Sequence, residues 1–414
     1  MQEERYASSQ RWLARAERVI PGAHHLSGRV LTSPGRSPMY IDRGRGCRIT
    51  DVDGHGYIDY LMAFGAFLLG YADPEVEAAA REELGRGSLL SMNRPQHVLF
   101  AEALVERFDG ADMAVLLKTG SEATTAALRI ARRATGRRRI ARAGYHGWHD
   151  WCLPLDDSVP AGLDAQVLEF DSNAPRSLEA LFGAHPGEIA AVILAPEMVL
   201  PPRREVFHAI QDIARRHGAV FVLDEVKTAF RTAPGSVQAR LGLTPDLTTV
   251  SKGLSNGWPV AAVVGRRDVM RSAAGMHLSA TYHGDTAAMA AALATLRIVR
   301  ERGVADHVWA LGQRLIDGLN AIVRDLEVPA MSFGEPFPPM PFLRFDHPDA
   351  ATNDALRTAF YEAMLVRGVL LHPRHMWFIS FAHQPADIDT TLDHARSAMK
   401  VAREQCRAAS TALA

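Results

Sequence analysis

"VFVLDEVKTAFR" (residues 220–231) opens with four apolar residues that run straight into Asp224. A run this short, apolar without alternation, reads as a strand covered on both faces. Three other stretches share the texture: "MAVLLK" (113–118), "IAAVILA" (189–195) and "AAVVG" (261–265). From about residue 74 such runs alternate with helical patterns, which predicts an α/β fold with a mostly parallel sheet. Sheets of this kind bind ligands at the carboxyl ends of their strands, and Asp224 stands at one. A buried carboxylate there is costly unless a partner meets it. Period-two geometry puts Val226 on the same side of the chain as Asp224.

The flanks read differently. The first residues predict an amphipathic helix, followed by a loop rich in Gly, Ser and Pro. "CRITDVDGHGYIDYL" (47–61) alternates apolar and polar residues about Asp53-Gly54, a hairpin pattern. An Ala-rich helix is expected over 285–302 and another around 305–323, before the Pro-rich "FGEPFPPMPFLRF" (333–345). These changes of texture divide the chain into three parts. Residues 1–60 begin a small α/β domain, 61–305 form the large domain, and 306–414 complete the small one.

A chain of 414 residues is long enough for two or three domains. Its 47% hydrophobic and 22% charged residues suit a soluble protein, and a net charge of −1 leaves no footprint for nucleic acid or an anionic membrane. The basic stretch "ARRATGRRRIAR" (131–142) lacks interleaved aromatics and reads as a solvated helix end. Three scattered cysteines, Cys47, Cys152 and Cys406, fit a reducing compartment. The first residues mix acids and bases without an apolar core, so no secretory signal is expected, and no apolar run reaches ~18 residues. A cytoplasmic location is expected.

Only four of the 46 basic residues are lysine: Lys118, Lys227, Lys252 and Lys400. Lys252 follows a short strand in "TTVSKGLSNGWP" (248–259). Arginine matches lysine's charge but cannot release its proton near neutral pH, so a position that needs a nucleophilic amine keeps lysine. "LLKTGSEATTAALRIAR" (116–132) sets a Gly-Ser pair where a strand becomes a helix, with Ala123, Ala126, Ala127, Ile130, Ala131 and Ala134 on one face. The helix N-terminus, with Gly120 for close approach and the Ser121 hydroxyl, suits a phosphate, while Thr119 and Glu122 form a capping box. In "AGYHGWHDW" (143–151) Tyr145 can stack on a flat ring. His146 and His149 lack further ligands at metal spacing, and His24-His25 reads as loop, so no metal is expected. A phosphate seat, a carboxylate for a pyridinium nitrogen and a reactive lysine are together the parts that bind pyridoxal phosphate. Its aldehyde forms a Schiff base with Lys252 and its ring serves as an electron sink.

With these parts in place, the chain resembles the class III aminotransferases, fold-type-I pyridoxal phosphate enzymes, in the branch that includes glutamate-1-semialdehyde 2,1-aminomutase. The resemblance spans about residues 15–400 and rests on "DVDGHGYIDY", "TGSEA", "YHGWHD", "LDEVKTAFR", "PDLTTVSKGLSNGWPVAAVVG", "GDTAAMAAALATL" and "HQPADIDTTL". It implies that Gly120 and Ser121 hold the phosphate, Tyr145 and Val226 cover the two ring faces, Asp224 binds the ring nitrogen and Lys252 forms the Schiff base. Thr281 would reach the phosphate of a neighbouring subunit, implying a homodimer. Arg29 would hold a substrate carboxylate, and Phe64 would stand near the substrate.

Several positions depart from the family pattern. Ala195-Pro196 replaces the usual Glu-Pro, with Glu197 one step beyond. Ala229 stands for a glycine, and Lys227, the one rival for the Schiff base, fills the variable position of "DEV.TG". "HPRHMWFISFAH" (372–383) lacks the glutamate that partners the carboxylate-binding arginine in aminomutases. The expected activity is transfer of an amino group between an amine or amino acid and a carbonyl compound. An intramolecular aminomutase or an amino-acid racemase is the alternative, and a non-catalytic binding protein is disfavoured by the intact Lys252 and Asp224.

Overall fold

The structure is a computed structural model and describes residues 5–23, 40–152, 159, 162, 166–199, 203–233, 235–334 and 337–412. The expected hairpin is present. β1 (Ile41–Arg45), β2 (Arg48–Asp51) and β3 (Gly56–Asp59) pair antiparallel, and Asp51 closes the turn by accepting from the Asp53 and His55 amides. Asp53 reaches back to the N-terminal helix Ala7–Ala16, accepting from the Ser8 and Ser9 amides at 2.6 and 3.0 Å.

The apolar runs assemble into one seven-stranded sheet. Its strands are β4 (Met113–Leu117), β5 (Arg139–Ala143), β6 (Val167–Glu169), β7 (Ile189–Leu194), β8 (Val220–Asp224), β9 (Leu247–Val250) and β10 (Ala261–Gly265), in the order β4-β10-β9-β8-β7-β5-β6. From β6 to β9 the pairs are parallel, whereas β10 runs antiparallel to both β9 and β4. The exception has a simple cause. Residues 251–260 are too short for the crossover of a dozen or more residues that a parallel return requires.

Every residue of β7, β8, β9 and β10 is buried, as runs of this texture demand. The helix Gly120–Thr135 packs on one face through Ala123, Ala126, Ala127, Ile130 and Ala131, against Ile193, Val222 and Val263. Ala134, expected on that stripe, is exposed in the last turn, where the helix leaves the sheet. Helices Pro175–Ala184 and Arg204–Arg216 cover another part of the sheet through Leu178, Phe207 and Ile210. The helices Thr286–Glu301 and Val304–Asp325 lie close to their expected bounds and enter the largest core cluster.

Beyond them, β11 (Ala330–Phe333) and β12 (Phe342–Phe345) form a two-stranded ribbon. β13 (Val369–Leu370) then pairs parallel with β3, joining the C-terminal part to the N-terminal hairpin. Among the described residues no helix is long and apolar enough to cross a membrane.

Candidate active site

At the carboxyl ends of β8 and β9 lies a cavity of about 140 Å³. It gathers Gly120, Ser121, Tyr145, Asp224, Val226 and Lys252, six residues that the sequence singled out across more than half of the large domain. His146, Gly147, Glu197, Lys227 and Ser251 complete its wall.

Lys252 begins a short 3₁₀ turn directly after β9, with φ at +48°, a left-handed conformation in which non-glycine residues are strained. The "SKGLSNG" loop holds it there. Ser251 Oγ donates to the Val260 carbonyl at 3.0 Å, and Asn256 bonds the Leu69 amide and the Gly70 carbonyl at 2.8 and 2.9 Å. A Cβ on Gly257 would sit 2.3 Å from the Phe67 ring, so only glycine lets this loop close on the 67–70 segment.

Burial, reinforced by the charge of Lys227, lowers the Lys252 pKa from 10.5 to about 7. Among the described residues no carboxylate pairs with it. The other lysines are otherwise engaged: Lys118 pairs with Asp285 at 2.6 Å, Lys227 pairs with Glu197 at 2.5 Å, and Lys400 is exposed.

This lowered value yields a prediction for the apoprotein. With its lysines carrying ¹³C-methyl labels, the Lys252 resonance should titrate with a midpoint near 7, while Lys227, which Glu197 holds above the ordinary value against burial, should not. Because the folded-state pKa lies below the unfolded one, this group favours folding most above pH 10.5. That contribution is lost as the pH falls from 10.5 through about 7. A Lys252 midpoint near 10.5 would show that the amine is not desolvated.

Asp224 ends β8 fully enclosed. Its Oδ1 accepts from the Val226 amide at 3.1 Å and Thr249 Oγ1 at 2.9 Å, while Oδ2 faces His146 Nδ1 at 2.7 Å. Burial works to raise its pKa, but His146, Val226 and Thr249 outweigh it and hold the carboxyl below its usual value. A carboxylate offers about four acceptor sites. Three are used, which leaves capacity for one more cationic donor. His146 therefore supports the Asp224 carboxylate; its role escaped the sequence reading because the two lie 78 positions apart. His149, its companion in the motif, bonds Thr125 Oγ1 at 2.8 Å, and no metal-holding group is found among the described residues.

The phosphate seat follows from the capping box. Thr119 Oγ1 accepts from the Glu122 amide at 3.2 Å, and Glu122 Oε2 accepts from the Lys118 and Thr119 amides, so the amides of Gly120 and Ser121 stay free of intrahelical bonds. A Cβ on Gly120 would meet Val226 Cγ1 at 2.8 Å. Ser121 Oγ accepts from the Trp148 amide at 3.2 Å, and a Cβ on Gly147 (φ +116°) would lie 2.3 Å from that oxygen. Gly147→Ala should therefore displace Ser121 and weaken pyridoxal phosphate binding about tenfold or more, on top of a backbone cost of roughly 1–3 kcal/mol. A fluorescence titration checks this; unchanged affinity would remove Ser121 from the phosphate seat.

Tyr145 is half-exposed at the mouth, with Lys227 Nζ 5.6 Å from its ring centre. Phe64 does not line the cavity itself. Its ring packs 5.1 Å from His375, edge to face, and His375 lies within electrostatic reach of both Lys227 and Lys252. Burial, aided by these cations and His372, pushes the His375 pKa down to about 4, so this wall is neutral at pH 7. Arg231, another residue the sequence reading passed over, is fully buried; it donates to the Gly65 carbonyl and sits 4.9 Å above the Phe378 ring. Thr281 is exposed in the turn Thr281–Gly284 and does not line the cavity of its own chain. Arg29 and His24-His25 lie outside the described residues.

The residues present fit pyridoxal phosphate. The helix start and Ser121 suit its phosphate, the spare capacity of Asp224 suits a protonated ring nitrogen, and a lysine amine whose pKa is lowered to about 7 suits its aldehyde. Comparison with known proteins agrees. The family model for aminotransferase class-III matches residues 32–384. The chain is 32% identical to the 3-aminobutyryl-CoA aminotransferase of Cloacimonas acidaminovorans, over 93% of this chain and 94% of the relative. It is 33% identical to the glutamate-1-semialdehyde 2,1-aminomutase of Desulfitobacterium hafniense, over 94% and 96%. Among solved structures, the PLP internal aldimine form of the FumI protein of Sphingopyxis sp. MTA144 superposes with a TM-score of 0.90 at 33% identity, covering 95% of this chain and 96% of that one. The chain thus belongs to the class-III aminotransferases, fold-type-I enzymes that work with pyridoxal phosphate.

Proposed function

We propose that the protein is an aminotransferase acting on an amine or amino acid and a carbonyl compound, with Lys252 as both the cofactor's anchor and the base that moves the proton. The observation that carries this reading is the cavity itself, where a desolvated lysine and a buried, hydrogen-bonded aspartate face one small space. Bound pyridoxal phosphate supplies the aldehyde that takes up the amino group and a ring that delocalises the electron pair left on the substrate carbon. The Lys252 amine, once displaced by substrate, takes a proton from one carbon and returns it to another. Asp224 keeps the ring nitrogen protonated, Gly120 and Ser121 hold the phosphate, and Tyr145 and Val226 confine the ring.

Further parts of the reading concern the assembly and the substrate. Thr281, exposed on its own chain, serves the site of a second copy, so the working unit is a homodimer and sedimentation should give twice 45.3 kDa. Arg29 holds a substrate carboxylate, with Phe64 nearby. The chain divides near residues 60 and 305, and the enzyme works in the cytoplasm.

A half-reaction tests the activity. With excess amino donor and no acceptor, a transferase releases one carbonyl product per site, whereas an aminomutase or racemase releases none in steady state. The absence of that product for every donor tried would replace the transferase reading by the isomerase one.

A further inference from the structure

Arg231 is the only fully buried arginine among the described residues. Taking a cation out of water is costly, so a buried one is ordinarily met by a carboxylate. None of the described carboxylates meets this one, and its Nε and Nη1 have no hydrogen-bond partner among the described residues. Dipoles hold it instead. Nη2 donates to the Gly65 carbonyl, and the guanidinium lies 4.9 Å from the centre of the Phe378 ring. A carbonyl and a ring face soften the cost of the charge without cancelling it. Burial lowers the pKa only to about 10, so the group is still charged at pH 7.

That charge stands against the turn that carries Lys252. Gly253, the next residue, offers bare backbone: a Cβ there would be 3.2 Å from Arg231 Nη2. Gly65 in turn packs so tightly on Phe378 that a Cβ would be 2.6 Å from the ring, which fixes the two supports of the guanidinium relative to each other. A buried charge is screened far less than an exposed one. The other groups facing the Lys252 amine are balanced. Lys227 opposes its protonation and Glu197 favours it, and the two lie 2.5 Å apart as a nearly neutral pair. Asp224 favours protonation but is engaged by His146, Val226 and Thr249, and His375 is neutral at pH 7. Among the described groups facing the amine, Arg231 is the one cation without a counter-charge.

We propose that Arg231 is a positioning residue for the reaction: its unpaired charge, set against the turn of Lys252, drives the proton off the lysine amine and keeps the nucleophile ready. The role calls for arginine. A lysine enclosed to this degree would be pushed toward losing its own proton, whereas a guanidinium stays charged.

The inference rests on the reading of Lys252 as the reacting amine, and the experiment separates the two. Two neutral variants are compared with wild type: Arg231→Gln, which keeps a donor for the Gly65 carbonyl, and Arg231→Met, which has none. In ¹³C-methyl-labelled apoprotein the Lys252 midpoint should rise from near 7 to about 8 in both, as expected when a nearby like charge is removed. Capture of pyridoxal phosphate at saturating concentration, followed by absorbance, should be about tenfold slower than wild type at pH 6 and within about twofold of it at pH 9. Since no ion pair is broken, melting temperatures should stay within about 5 °C of wild type.

An unchanged midpoint in both variants would overturn the proposal. A shift in Arg231→Met alone would assign the effect to the Gly65 hydrogen bond, and capture slowed equally at pH 6 and pH 9 would make the role structural. Failure of both variants to fold would make the charge part of the fold, which overturns the proposal equally. Capture that ignores pH in wild type and variants alike, despite a shifted midpoint, would remove Lys252 from the chemistry and overturn the underlying reading with the inference. Normal capture with no carbonyl product in the half-reaction would overturn the transfer reading alone.

Discussion

Lys252→Ala is expected to abolish amino transfer, with turnover reduced by roughly 10⁴–10⁶-fold, as when an enzyme's nucleophile is removed. The fold should survive. Alanine and lysine bear a φ of +48° at similar cost, and the substitution deletes a buried amine that desolvation already penalises. The decisive measurement is borohydride reduction in the presence of pyridoxal phosphate, followed by peptide mapping. Wild type should carry the reduced adduct at residue 252 and the variant should carry none. An adduct at Lys227 would transfer the role to that lysine, but Lys227 is tied to Glu197 and its pKa is raised rather than lowered. A protonated amine cannot attack an aldehyde.

Asp224→Asn should keep most of the cofactor affinity and lose ~2.7–4 kcal/mol of transition-state stabilisation, about 10²–10³-fold in kcat. The amide oxygen can still accept from the Val226 amide and Thr249 Oγ1, so the end of β8 keeps its shape. The amide nitrogen, however, would face His146 Nδ1 as a donor, reversing the hydrogen bond made by the carboxylate. The charge that keeps a ring nitrogen protonated is gone. Near-normal kcat in the variant, with a normal absorbance spectrum, would show that Asp224 is not the nitrogen's partner. Loss of cofactor affinity in proportion to kcat would make its role one of binding alone.

The site was legible in the sequence to the extent that each part advertises itself locally. A capping box followed by an Ala-rich stripe marks a helix start, and an apolar run ending in Asp marks a strand end. One of only four lysines in an arginine-rich chain asks for a chemical reason. Phe64 was placed less exactly than these, because His375 stands between the sequence signal and the two lysines. The antiparallel course of β10 was missed for a different reason: the texture of a buried strand is the same in either direction, and only the length of residues 251–260 speaks against a crossover.

The amino-acid sequence by itself determined the α/β architecture and the residue types of the site, since periodicity, capping and the chemistry of a titratable amine are properties of a few neighbouring residues. Only the tertiary structure decided which of those residues meet. His146 becomes the partner of Asp224, Glu197 that of Lys227, and Lys252 an amine with its pKa lowered to about 7, because each depends on groups brought together from distant strand ends. Charge pairing and desolvation are set by distance and burial in space, and neither is written in the spacing along the chain.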